Sequence, residues 1–122
     1  MSEIETINGQ RVLLWDREGA PLASSRDASD LVGEAFSTEA KVVVIPVERL
    51  SPEFLKLSSG LAGEVLQKFV NYGLKVAILG DITAAVAASG PLRDLVRESN
   101  RGRSVWFVDD RADLDARIAA LA

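Results

Sequence analysis

Residues 41–46, KVVVIP, and 57–80, LSSGLAGEVLQKFVNYGLKVAILG, decide the fold. Val42, Val43, Val44 and Ile45 form a continuous β-branched run, which suits a strand covered on both faces. Pro46 has no N–H to give to a ladder, so it ends that strand or puts it at an edge. After Ser58, Ser59 and Gly60 the apolar period changes. Leu61, Ala62, Val65, Leu66, Phe69 and Val70 share one helical face, while Glu64, Gln67, Lys68 and Asn71 share the other. Gly73 is placed to terminate this helix in a left-handed conformation. Lys75 to Leu79 is then a second buried strand, closed by Gly80 and Asp81.

The flanks extend the same alternation. Glu3 to Ile7 and Gln10 to Trp15 are extended runs joined by Asn8 and Gly9, a pair that favours a type I′ hairpin turn. Asp16 to Ser25 reads as a loop. From Asp27, a candidate N-cap, the positions Ala28, Leu31, Val32, Ala35 and Phe36 mark a helical stripe. Val47 to Leu57 predicts a short helical turn. Thr83 to Ser89 is open between helix and loop, because Gly90 and Pro91 interrupt any continuation. Pro91 suits a first helical position, with Leu92, Leu95, Val96 and Ser99 facing inward as far as Gly102. Ser104 to Val108 is the last strand, and Asp110 caps a final helix with Leu114, Ile118 and Leu121 inside. The whole chain, 1–122, is expected to form one α/β domain. Its core is a mixed, mostly parallel sheet of about five strands, with an N-terminal β-hairpin and about four helices.

The strand at 41–46, followed by Ser-Ser-Gly-Leu opening a helix and then a second strand, resembles the core of STAS domains, which include the anti-anti-sigma factors of bacterial partner-switching systems. A closer resemblance rests on GLAGEVLQKFVNY (60–72) and RDLVRESNRG (93–102). These segments are similar to a bacterial family known as domain of unknown function 4180, which implies a fold but no activity. In anti-anti-sigma factors the first serine of the Ser-Ser-Gly or Ser-Thr-Gly motif is phosphorylated, and Ser58 is the matching position. Those proteins carry an aspartate just before it where this chain has Leu57, so a kinase that reads the acidic residue lacks it here.

The composition narrows the chemistry. Of 122 residues, 48% are hydrophobic and 26% charged, enough for one packed core, and the net charge is -4. Arg93, Arg97, Arg101 and Arg103 are interleaved with Asp94 and Glu98, which reads as a solvated helix face, so nucleic acid is not an expected partner. The absence of cysteine and histidine excludes thiolate nucleophiles, sulfur-ligated metals and Ser-His-Asp arrangements. No apolar run is long enough to span a membrane and no signal pattern opens the chain, so a cytoplasmic location is expected.

Several residues have two readings. Ser58 and Ser59 stand where an N-cap is needed; alternatively one carries phosphate, or the helix start receives an anion. Gly60 and Gly63 either admit such an anion or let the helix pack tightly on the sheet. Glu98, Asn100 and Arg101 are ordinary helix-end residues or a polar patch beside the Ser58 helix. Asp81, Asp109 and Asp110 follow strand ends, as turn and cap residues or as ligands for a hard cation. Trp15 and Trp106 are expected in the core or on a sheet face, and would mark an interface if exposed together. The leading expectation is a non-catalytic regulatory module binding a protein partner through Ser58, Ser59, Gly60 and Gly63, with Glu98, Asn100 and Arg101 alongside and no cofactor. The alternatives are a sensor of a small anionic or acyl ligand at the same helix start and, last, an enzyme using Asp81 and Asp109. A homodimer is compatible with so small a domain.

Overall fold

In a computed structural model, which describes residues 2–121, Asn8 (φ 49°) and Gly9 (φ 80°) both adopt the left-handed conformation of a type I′ turn. That turn folds β1 (Glu3–Ile7) antiparallel onto β2 (Gln10–Leu14), with Ile7 opposite Gln10. Strands β3 (Val42–Pro46), β4 (Lys75–Leu79) and β5 (Val105–Val108) then add in parallel and in chain order. The sheet is therefore the mixed five-stranded one expected, with the hairpin at one edge. Four longer helices accompany it: α1 (Ser25–Ser37), α3 (Leu61–Asn71), α5 (Gly90–Arg101) and α6 (Arg111–Ala119). Two short ones, α2 (Pro52–Leu55) and α4 (Thr83–Ala88), lie between them.

Every residue of β3 is buried, as its β-branched run requires. The front face of the sheet carries Leu13, Val43, Ile45, Val76, Ile78 and Phe107. Against it pack Leu31 and Val32 of α1 and Val65, Leu66 and Phe69 of α3, with Leu95 and Val96 of α5 at the margin. A crossover between parallel strands has one strongly favoured hand, so adding strands in one direction keeps sending the helices to the same side. The back face, with Val12, Val42, Val44, Ala77, Trp106 and Val108, is covered by Leu114 and Ile118 of α6.

Some boundaries differ from expectation. Helix α1 begins two residues before Asp27, capped by Ser24, whose Oγ accepts the Asp27 N–H at 3.2 Å. The Asp27 carboxylate in turn accepts the Ala23 N–H at 2.9 Å, so Asp27 is the returning partner of the cap. Phe36, expected inside, is 51% exposed and meets Tyr72 edge to face with ring centroids 5.8 Å apart. Residues 83–88 are helical, and Ser89 breaks the chain by capping α5, which leaves Pro91 as its second residue after Gly90.

The loop between β2 and α1 is held by Arg49, in the helical turn Val47–Arg49. Its side chain is buried and spends its hydrogen bonds on backbone carbonyls. Nε donates to the Ala20 carbonyl (2.8 Å), and Nη1 donates to the carbonyls of Asp16 (2.8 Å) and Glu18 (3.1 Å). The guanidinium stacks 3.5 Å from the centre of the Trp15 ring. Gly19, at φ 136°, is needed there, because a Cβ would come within 2.9 Å of the guanidinium carbon. The Arg49 carbonyl accepts the Leu22 N–H, so side chain and backbone anchor the loop together. Arg49→Met is predicted to lower the unfolding free energy by about 2–4 kcal/mol in urea denaturation, from lost charge-assisted hydrogen bonds and the lost stack. Arg49→Lys should recover only part of it, because an ammonium cannot span three carbonyls and stack at once. A loss below about 0.5 kcal/mol in the methionine variant would show that the loop is held by something else.

Candidate functional site

The segment leading into α3 separates its two serines. Ser59 is structural: its hydroxyl donates to the Glu53 carbonyl at 2.6 Å and accepts the Leu61 N–H at 3.2 Å, tying α2 to the start of α3. Gly60 holds the N-cap position of α3 at φ 79°, a conformation that favours glycine. Ser58 is exposed, and its hydroxyl makes no hydrogen bond with any described residue. A Cβ added at Gly60 or Gly63 would meet nothing within 4 Å, so neither glycine serves the tight packing anticipated for them. Nothing in the structure explains glycine at position 63.

Ser58 lies in the wall of a groove of about 390 Å³. One side is formed by Pro52, Leu55 and Leu57, the other by Ala85, Ala88 and Pro91, with Lys56 and Ser89 at the margins. Helix α4 contributes no buried residue although its sequence is TAAVAA, so it leaves an apolar surface facing solvent.

Glu98, Asn100 and Arg101 are not beside Ser58. The groove takes in the first turn of α5, whereas these three residues close its last turn, roughly 15 Å further along the axis. Asn100 instead seals a sheet edge. Its Oδ1 accepts the Phe107 N–H at 2.8 Å and its Nδ2 donates to the Phe107 carbonyl at 3.2 Å, taking the place of a sixth strand beside β5. Arg117 of α6 donates to the Asn100 carbonyl at 2.6 Å. Glu98 and Arg101 form an exposed ion pair at 3.5 Å, worth little in water. Trp106 is buried with its Nε1 donating to the Gly102 carbonyl at 3.0 Å, and Trp15 is half-buried beneath Arg49, so the tryptophans form no shared exposed surface.

The strand-end carboxylates act locally. Asp81 accepts both the hydroxyl and the N–H of Thr83, and these bonds hold its carboxyl below the usual aspartate range. Asp110 caps α6 by accepting the Asp113 N–H at 2.9 Å, and Asp113 reaches back to the Asp109 N–H. Among the described residues, no group of three or more acidic side chains is placed to hold a metal ion, and no helix is long and apolar enough to cross a membrane.

A larger cavity, of about 490 Å³, opens on the back of the sheet at the carboxyl ends of β2, β3 and β4. Nothing in the sequence pattern singled it out, because its walls come from five separate segments. Its floor is Leu14, Val44, Pro46 and Leu79, and Asp16 and Arg111 stand at its edge. The Glu18 N–H, as the largest influence, holds the Asp16 carboxyl below its ordinary value. Arg111 donates to Glu5 and Asp115, and both carboxylates raise its already high pKa.

Fold and surface together define a small α/β domain with a mixed sheet, an apolar groove beside α4 and a cavity on the back face. The chain belongs to the family described as a domain of unknown function (DUF4180), which matches residues 7–118. It is also similar to translation initiation factor IF-2 of Carboxydothermus hydrogenoformans, at 28% identity over 83 residues, 66% of this chain. The chain spans 10% of that protein's length. No solved structure matches it.

Asn100→Ala should cost about 1–3 kcal/mol, since it leaves both polar groups of Phe107 without their partner, and should promote association through the opened β5 edge. Glu98→Ala and Arg101→Ala should each change stability by less than about 0.5 kcal/mol. Chemical denaturation with light scattering reads both effects. Equal losses at all three positions would contradict the edge-sealing role of Asn100.

Proposed function

We propose that this chain is a non-catalytic regulatory module that docks a protein partner in the groove beside the start of α3, in the manner of STAS domains, with Ser58 as its control point. The observation that carries the reading is the division of labour between neighbouring serines. Ser59 is consumed in holding α2 to α3, while Ser58 stands exposed and unbonded among the described residues in the wall of an apolar groove. Uncovered apolar surface on α4 gives a partner something to bury. Phosphate on Ser58 would bring roughly 1.5 to 2 negative charges to that wall, near Lys56, and would change which surface fits there. An anion held at the start of α3 is the weaker reading, because Ser59 already occupies the Leu61 N–H.

Ala88 is exposed, so Ala88→Arg should block the groove without unfolding the domain, and Ser58→Glu imitates the added charge. In quantitative affinity capture from the source cell, wild type and Ser58→Ala should retain a stoichiometric protein partner. Ala88→Arg and Ser58→Glu should retain about tenfold less of it, at unchanged melting temperature. Recovery unaffected by both substitutions, or no stoichiometric partner with the wild type, would overturn the proposal.

A further inference from the structure

The back of the sheet has less cover than it has width. Three long helices lie on the front, whereas among the described residues α6, nine residues and about 13 Å long, is the one helix packed against the back. Five strands span roughly 19 Å between the outer axes. Helix α6 touches β1, β4 and β5. The uncovered remainder is the cavity over the carboxyl ends of β2, β3 and β4, the end of a parallel sheet at which α/β proteins commonly bind ligands.

Its lining is divided by chemistry. Leu14 pairs in register with Val44, and Pro46 with Leu79, so these four make a level apolar floor provided by rigid strands. Charge of both signs is confined to the rim. Arg111 enters from the first turn of α6, held by Nε to Asp115 and Nη2 to Glu5, which leaves Nη1 without a partner among the described residues. Arg17 also lines the cavity, with its side chain 77% exposed and its Nε 4.0 Å from the Glu48 carboxylate. Glu3, opposite Leu14 on β1, supplies an exposed carboxylate that makes no ion pair among the described residues. The backbone of the loop bearing Arg17 is fixed by Arg49, so the course of the chain on this side of the rim is set before anything binds.

We infer that this cavity binds a small zwitterion with an apolar body, of the free amino-acid type. The apolar body lies on the floor of Leu14, Val44, Pro46 and Leu79; the carboxylate is met by the guanidinium groups of Arg17 and Arg111; the ammonium is met by Glu3. The volume, about 490 Å³, lies within the range of small-molecule sites. A purely anionic ligand would face Glu3 and Asp16 in the lining, with Glu5 and Asp115 nearby, as well as the arginines, and a purely cationic one would leave the arginines unanswered. The site lies on the other face of the sheet from the groove at Ser58 and does not depend on it.

Isothermal titration of the whole chain with leucine, phenylalanine and tryptophan tests this, using their N-acetyl and amide derivatives as single-charge controls. At least one free amino acid should bind saturably, and blocking either charge should weaken it by about tenfold or more. Arg17→Gln and Glu3→Gln, both at exposed positions, should weaken it comparably at unchanged melting temperature, while Ala88→Arg in the groove should leave it intact. Absence of binding by all three, or binding indifferent to the blocked charges and to both rim substitutions, would overturn the inference. Loss of amino-acid binding in Ala88→Arg would also overturn it, by placing the ligand in the groove.

Discussion

A parallel sheet must be covered on both faces, and this chain has to satisfy that demand with crossovers that all run to one side. β3 is buried at every position and stands at the centre of the sheet, so both layers are organised around it. On the front, α1 and α3 supply continuous apolar stripes and the core is large. On the back, the cover among the described residues comes from α6, anchored by Leu114 and Ile118, which are both fully buried. The back-face cavity follows from that imbalance. It is what remains when one short helix covers a sheet wider than itself.

Two polar side chains do work that apolar packing cannot. Arg49 gathers three backbone carbonyls and a tryptophan face, and so gives the loop between β2 and α1, residues 15–24, a fixed course. Asn100 presents an amide to Phe107 as a neighbouring strand would, closing the β5 edge with one residue. Arg49 steadies the rim of the back-face cavity, and Asn100 closes the edge strand that flanks α5.

Local signals carried most of the fold. The Asn8-Gly9 turn, the Val42–Ile45 run, the α3 stripe and the Asp110 cap are short-range patterns, and each gave the element it predicts. The start of α1 was harder, because Ser24 and Asp27 share one cap and either looks sufficient alone. Phe36 fits the stripe by spacing, yet Ala35 beside it takes the buried position and the Phe36 ring finds Tyr72 instead of the core. The candidate site was legible only in part. Ser58 and Ser59 could be picked out, but which of them is free depends on Glu53, six residues away from Ser59 and in another helix. Arg49 and Asn100 hold their roles through contacts with distant backbone, and the cavity joins segments from Glu3 to Arg111, so no local pattern could reveal them.

Site-specific photocrosslinking in the source cell bears most directly on the claim that this domain works by docking a partner beside Ser58. A benzophenone amino acid would replace Lys56 at the groove margin and, separately, Arg101 at the far end of α5. The account predicts a single discrete protein adduct at position 56 and none at 101. Adducts at 101 without one at 56, or no adduct at either, would contradict it.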